Sequence, residues 1–286
     1  MQHSIPKFPA VVKQGYDYLE GELWYGQHAF CLSLSRGALD VIAGVMQYAN
    51  PFVYQHALPD ASLPNVAAVV AGKNVASGVA TKTVDAGWAT LTMLGKSTAA
   101  HVDMLDALVA PTFQTTALGQ SWLNSGGPIG GYCPATGEDA LDILAVSLPP
   151  DDMHVTYNDH SKWAVAQKAS SSWWCGMDNN HVASQLKRSG LAVCLQHLPM
   201  ATLLRSSAPQ VGTCGAPPPP PGPTPGPAPG PKPSSCCYYD SWSCATGITC
   251  CSSSGVSYQS QYSCDRYGAK HGCVWHFDDS QCIVEP

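Results

Sequence analysis

Apolar and polar residues recur with the periods of both helices and strands along the first three quarters of the chain. Over residues 38–49 the apolar residues follow helical spacing and stop at an Asn-Pro pair, which is a typical helix-stop signal. Residues 97–118 form the longest helical pattern, with Ala, Met and Leu every three to four positions. A short apolar run at residues 28–34, bounded by glycines, predicts a strand.

Two further segments bear on the fold class. Residues 163–167 predict another strand, whereas residues 140–148 fit a strand and a helix equally well. Because helical and strand patterns alternate along the chain, we predict an α/β domain in which helices pack on a sheet.

A proline-rich segment separates this region from the rest of the chain. Residues 215–233 contain 11 prolines and no large apolar residue, so they cannot form a core. Such a sequence is typical of a stiff, extended spacer of the polyproline II type. We therefore predict a domain at residues 1–214, a linker at 215–233 and a second folded module at 234–286.

The second module is rich in cysteine. Of the 13 cysteines in the chain, eight lie in residues 236–286, which predicts a small disulfide-rich scaffold and the oxidising compartment of a secreted protein. Zinc is a weaker interpretation, because only His271 and His276 are nearby and the spacing matches no zinc pattern. The many aromatic residues of this module either fill around the disulfides or form a platform for sugar rings.

The start of the chain does not fit this compartment. Residues 1–30 lack the basic start, apolar stretch and small-residue cleavage site of a signal peptide. We therefore expect that the sequence lacks the natural N-terminus. No stretch approaches the ~20 apolar residues that a membrane helix needs, so no membrane association is expected.

The charge of the chain depends strongly on its histidines. Only 12% of the residues are charged and the formal net charge at neutral pH is −6, so no basic surface indicates nucleic-acid binding there. Protonation of all ten histidines would bring the net charge to about +4. A polyanionic partner would therefore be repelled at neutral pH and attracted in an acidic compartment.

The clearest candidate site is a His-x-Lys pair, His160 and Lys162. In an extended segment these side chains point to the same face, and Asp159 points to the other, so we do not expect Asp159 to orient the imidazole. A lysine can neutralise a non-bridging phosphate oxygen, while a histidine attacks phosphorus or protonates the leaving oxygen. Taken alone, however, the pattern also fits a surface histidine and lysine on a strand.

The sequence around this pair resembles that of the deoxyribonuclease II family. The stretch DHSKWAV at residues 159–165 resembles the C-terminal active-site motif of the family. In the same order as in the family, HSIPKFP lies at residues 3–9, YGQHAFC at 25–31, and the segments WCG and VCLQ at 174–176 and 193–196. The resemblance covers roughly residues 1–214.

The resemblance implies a phospholipase-D-like fold and an endonuclease that cleaves DNA at acidic pH, without metal or cofactor, leaving 3′-phosphates. In the family, one His-x-Lys motif lies in each half of the molecule. One histidine attacks to form a phosphohistidine, the other protonates the leaving 5′-oxygen, and the lysines bind the phosphate. His160 and Lys162 would form one of these motifs, with the role of His160 open between nucleophile and acid.

The resemblance also implies disulfide pairs. Cys175 would pair with Cys194, and Cys133 with Cys214. Cys31 would pair with a cysteine near the mature N-terminus, which the sequence does not contain.

One departure from the family concerns its first His-x-Lys motif, which lies shortly before the segment that begins here at His3. No second His-x-Lys occurs in the chain. Three interpretations follow: the sequence is an incomplete acid DNase, two chains form a homodimer in which each supplies one motif, or the chain is an inactive homologue. In the last case it would bind nucleic acid or carbohydrate outside the cell.

Overall fold

The computed structural model describes residues 2–5, 25–53, 62–124, 127–148, 152–215, 273–276 and 281–284. The chain divides into two compact units, Met1–Pro221 and Gly222–Pro286. In the second unit the described residues form an antiparallel pair of strands, Cys273–His276 with Gln281–Val284. Apart from Gly215, the predicted linker lies outside the described residues, as does most of the predicted cysteine-rich module, so both stay predictions.

The first unit contains eleven described strands and four α-helices. The strands are β1 (Gln2–His3), β2 (Ala29–Phe30), β3 (Val79–Asp85), β4 (Thr90–Lys96), β5 (Ala117–Gln120), β6 (Ala140–Leu148), β7 (Asp152–Val155), β8 (Trp163–Ala166), β9 (Trp173–Met177), β10 (Gly190–Gln196) and β11 (Gln210–Val211). The helices are α1 (Arg36–Ala49), α2 (Pro64–Val70), α3 (Ala110–Phe113) and α4 (Leu198–Ser206).

Nine of these strands form one mixed sheet. Its order is β11-β6-β5-β8-β9-β10-β4-β3, and β7 pairs with β6. Strands β5 and β6 are parallel, and the other pairs are antiparallel. The predicted α/β class with a mixed sheet and packed helices is therefore confirmed. Strands β1 and β2 pair separately, with Gln2 opposite Phe30.

The two faces of the sheet pack against different helices. Because side chains alternate along a strand, Leu94 faces the helical segment at 104–113, while Met93 faces α1. The face under residues 104–113 carries small residues, among them Ala117, Ala140, Ala164, Ala166 and Ala192. Ala201 of α4 joins a third cluster, with side chains of β5, β6 and β8. Burial of apolar residues on both faces stabilises the sheet.

Helix α1 ends where the sequence predicts. Asn50 adopts a left-handed conformation (φ 51°) and ends the helix, as the Asn-Pro pair indicates. The helix begins at Arg36, two residues before the predicted pattern, because the side chain of Ser35 accepts a hydrogen bond from the backbone N–H of Ala38.

The prediction of a single helix at residues 97–118 is wrong. The segment contains a 3₁₀ turn at Thr98–Ala100, a π-helical turn at Leu105–Val109 that continues into α3, and the first residues of β5. His101 and Gln114 both have φ near +50° and break the helix. The carboxylate of Asp103 then caps a new helix start, accepting from the backbone N–H of Leu105 at 2.7 Å.

The strand predictions have mixed outcomes. The run at 163–167 forms β8, and the ambiguous run at 140–148 forms strand β6. Of residues 28–34 only Ala29–Phe30 is a strand, because its partner β1 is two residues long.

Both disulfide pairs implied by the resemblance are confirmed. Cys175 and Cys194 are directly opposite on β9 and β10, and Cys133 is bonded to Cys214, 81 residues away. Among the described cysteines, Cys31 is exposed and forms no disulfide. No helix in the described part of the chain is both long and apolar enough to cross a membrane.

Candidate active site

His160 and Lys162 lie in an irregular segment between a 3₁₀ turn at Thr156–Asn158 and strand β8. This segment contacts Gly26: the backbone N–H of Gly26 donates to the carbonyl of Asn158 (3.0 Å), and that of His160 donates to the carbonyl of Gly26 (2.8 Å). A Cβ at position 26 would lie 2.5 Å from Oδ1 of Asp159, so the close approach requires glycine.

Two aromatic rings hold the imidazole of His160. Tyr25 stacks on it with a centroid distance of 4.2 Å and an angle of 11°. Trp122 meets it edge-on at 4.6 Å and 61°. Such contacts contribute roughly 0.5–1.5 kcal/mol each beyond area burial and fix the plane of the ring.

A chain of polar contacts reaches His160 from the N-terminal segment. The Nε2 of Gln27 lies 3.2 Å from Nδ1 of His160. The hydroxyl of Ser4 donates to Oε1 of Gln27 at 2.6 Å and accepts from the backbone N–H of His28 at 2.9 Å. The three short motifs at 3–9, 25–31 and 159–165 therefore meet at one place in the structure.

Lys162 folds back onto its own segment. Its Nζ donates to the carbonyl oxygen of His160 at 2.7 Å. Burial lowers the pKa of Lys162 to about 8, although Asp159 and Asp178 oppose the shift. The ammonium is therefore charged in acid and at neutral pH, next to the backbone of His160.

His28 lies beside this lysine and stays neutral. Its Nδ1 accepts a hydrogen bond of 3.0 Å from the backbone N–H of Lys162. Burial lowers the pKa of His28 to about 4, and the charges of Lys162 and His3 add to this. Burial likewise lowers the pKa of His3. Lys162 thus places a positive charge near His28 in mild acid.

Asp159 supports the loop, in line with the expectation that it does not orient His160. Its Oδ1 accepts from the backbone N–H of Ser161 at 2.8 Å, and the carboxylate is almost fully buried. That expectation assumed that residues 159–162 form a regular strand with alternating side chains, whereas the strand begins only at Trp163. The sequence analysis did not identify Tyr25, Gln27 and Trp122 as neighbours of His160, although the segment 25–31 is one of the motifs that resemble the family.

A second buried cluster, unforeseen from the sequence, surrounds His181. Its Nδ1 lies 2.8 Å from Asp142 and its Nε2 3.0 Å from Asp106, with Asp103 at 3.7 Å. Burial alone would lower the pKa of His181, but the hydrogen bonds to Asp106 and Asp142 and the charge of Asp103 raise it well above its ordinary value. Burial also raises the pKa of Asp103.

The spacing of Asp103, Asp106 and His181 would also suit a metal ion, since their ligand atoms lie within 4.8 Å of one another. Both ring nitrogens of His181, however, already lie at hydrogen-bond distance from carboxylates. An imidazolium therefore bridges Asp106 and Asp142, and we assign the cluster a structural role.

The fold and the site together define an α/β protein with a His-x-Lys pair whose histidine is held by two aromatic rings. The model of the deoxyribonuclease II family matches residues 1–214, and the chain belongs to this family.

Curated relatives agree with this assignment. The chain is 30% identical over 223 residues to cell-death-related nuclease 7 of Caenorhabditis elegans, covering 74% of this chain and 59% of the relative. It is 28% identical over 199 residues to deoxyribonuclease-2 of the same species (68% and 52%) and 25% identical over 202 residues to human deoxyribonuclease-2-beta (68% and 56%). The chain thus spans somewhat more than half the length of these relatives.

Proposed function

We propose that residues 1–214 take part in the hydrolysis of DNA phosphodiester bonds, with His160 and Lys162 as catalytic residues. The observation that carries this proposal is the setting of His160: Tyr25 and Trp122 hold its ring, and the charged Lys162 donates to its backbone carbonyl. The relatives named as deoxyribonucleases support DNA as the substrate.

The chemistry follows from the two side chains. As nucleophile, Nε2 of His160 forms a bond to phosphorus, and the P–O5′ bond breaks as the histidine of the second motif protonates the leaving oxygen. Water then breaks the P–N bond, which releases the 3′-phosphate and frees His160. As acid, the imidazolium gives its Nε2 proton to the leaving 5′-oxygen. In both cases the ammonium of Lys162 neutralises a phosphate oxygen, which lets the reaction proceed without a metal or another cofactor.

Acidic pH favours this function through charge. Protonation of histidines moves the chain from a net −6 toward positive values, so attraction of DNA increases as the pH falls. The two disulfides fit an oxidising compartment, and we place the protein in a secreted or lysosomal setting. We extend the proposal to the phospholipase-D-like arrangement, in which two His-x-Lys motifs face each other.

The second motif would come from outside the sequence given. A homodimer supplies it from a second chain, and a longer natural chain supplies it from its own N-terminal half. The alternative function is that of an inactive homologue that binds DNA. Sugar binding by residues 234–286 stays a separate proposal, tested by a glycan array.

Plasmid nicking at pH about 5 with EDTA tests the proposal. The chain should nick supercoiled DNA, and His160→Asn should abolish nicking. The matched control is His101→Asn at an exposed left-handed position, where asparagine is tolerated. End-labelling of the products checks for 3′-phosphates, and light scattering separates a dimer from a monomer. A folded chain that binds DNA but never nicks it would support the alternative.

A further inference from the structure

The amide of Gln27 lies between the imidazole of His160 and the hydroxyl of Ser4. Its nitrogen is 3.2 Å from Nδ1 of His160, and its oxygen accepts a 2.6 Å hydrogen bond from Ser4. An amide has a donor end and an acceptor end, so its orientation determines what kind of group Nδ1 meets.

Both roles open to His160 need the proton of the neutral ring on Nδ1. A nucleophile uses the lone pair of Nε2, so the ring proton must be on Nδ1. An imidazolium that gives its Nε2 proton to a leaving oxygen keeps its other proton on Nδ1. In both cases Nδ1–H needs an acceptor, which Gln27 provides only when Oε1 faces the ring.

The orientation present in the structure favours the other tautomer. When Nε2 of Gln27 donates to Nδ1, the single proton of neutral His160 is on its Nε2. That atom then has no lone pair with which to attack phosphorus. Gln27 in this orientation therefore holds His160 in a tautomer that is idle in the proposed reaction.

Ser4 satisfies the amide in either orientation. A hydroxyl has one proton and two lone pairs, and one lone pair of Ser4 takes the backbone N–H of His28. The hydroxyl donates to Oε1 of Gln27 in the present orientation. After a half-turn of the amide, the second lone pair would accept from Nε2 instead. At these two contacts, the half-turn therefore exchanges one hydrogen bond for another.

The aromatic contacts make the amide the movable part of this chain. Tyr25 and Trp122 hold the plane of the imidazole, which opposes rotation of the ring itself. A change of tautomer is therefore accommodated most easily by turning the Gln27 amide.

We propose that Gln27 is a positioning residue whose amide orientation, relayed by Ser4, sets which nitrogen of His160 carries the proton. The significance of the tautomer rests on the function proposed above. The tautomer itself can be measured in a chain without any activity, so the two proposals can fail separately.

Nitrogen NMR of histidine-labelled full-length chain tests the inference through Gln27→Glu and Gln27→Met. The glutamate carboxylate only accepts, so it should place the proton of neutral His160 on Nδ1 and move the midpoint of the ring titration up by about one pH unit or more. The methionine variant, which offers neither donor nor acceptor of comparable strength, should show a mixture of tautomers. The control Gln210→Glu adds the same charge at an exposed position and should leave the His160 signals unchanged. Identical His160 signals in wild type and both Gln27 variants would overturn the inference.

Nicking kinetics give a second readout. Gln27→Glu should keep activity with its pH profile displaced upward, while Gln27→Met should lower kcat at least about tenfold with little change in KM. Full kcat in a folded Gln27→Met variant would contradict the inference. If no variant nicks DNA, the proposed function fails, and the NMR result alone decides on Gln27.

Discussion

Because His181 is charged in the folded protein, we expect the free energy of unfolding to fall as the pH rises above neutral. Because its contacts with Asp106 and Asp142 raise the pKa of His181 well above 6.5, the folded chain keeps a proton that the unfolded chain releases. The contribution of this group is complete below pH about 6.5. It is lost progressively as the pH rises toward the folded-state pKa.

The magnitude follows from the number of protons involved. One extra proton in the folded state gives a slope of about −1.4 kcal/mol per pH unit, so between pH 6.5 and 8 the free energy of unfolding falls by up to about 2 kcal/mol. Asp103, whose pKa burial also raises, faces the same imidazole, and any proton that it holds in this window adds to the fall. The shifted histidine and lysines outside the cluster change little in this window. His28, with a pKa lowered to about 4, acts below pH 6.5, and Lys96 and Lys162, with pKa values lowered to about 8, act mainly above pH 8.

Urea unfolding at several pH values between 6.5 and 8 measures this slope. His181→Asn removes the titrating group and should flatten the curve. It should also lower stability at pH 6.5, because two buried carboxylates and the partly buried Asp106 lose their shared cation. The control His197→Asn changes an exposed histidine and should keep the wild-type slope. Parallel curves for wild type and His181→Asn across the window would refute the argument.

Three further predictions concern the site and the disulfides. Gly26→Ala should lower the free energy of unfolding by about 1–3 kcal/mol and impair nicking, because the new Cβ would press on Asp159. The control Gly37→Ala in α1 has no atom near the new methyl group and should not destabilise the chain, and unfolding midpoints compare the two variants. Nicking should decline above pH about 8 as Lys162 loses its proton, and Lys162→Arg should remove that decline if it remains active, as a pH–rate profile would show. Removal of the Cys133–Cys214 bond, which spans 81 residues, should cost about 1 kcal/mol more than removal of Cys175–Cys194, which spans 19; equal losses in thermal unfolding would contradict the loop-entropy argument.

Local signals in the sequence predicted local structure well. The end of α1 follows from Asn50, and β8 follows from a buried apolar run. The prediction of one helix over residues 97–118 was wrong because apolar residues on both sides of the helix break, such as Met104 and Ala117, belong to the same core cluster. The break depends on two residues in the left-handed conformation and on a helix cap by Asp103, and the spacing of apolar residues contains no information on either.

The surroundings of the candidate site could be predicted only in part. The His-x-Lys pair is visible as a short motif, but Gln27 reaches His160 across 133 residues of sequence. Tyr25 and Trp122 contact the same ring from two other segments. Such distant contacts leave no periodic signal in one sequence. The His181 cluster is hidden for the same reason, since it joins Asp106 and Asp142 through a histidine 75 and 39 residues away.

The described histidines with shifted pKa values restrict how acidity can act on this protein. Near pH 5, His181 is charged and structural, whereas His28 is held neutral by burial and by Lys162. His28 therefore adds little positive charge beside the proposed phosphate position until the pH approaches 4. Lys162 is charged throughout this range. Among the described groups, His160 itself and the long-range field of exposed histidines are the sources to test for a rise of nicking between neutral pH and pH 5. Salt separates these two causes, because the long-range field is screened at high ionic strength and the protonation state of His160 is not.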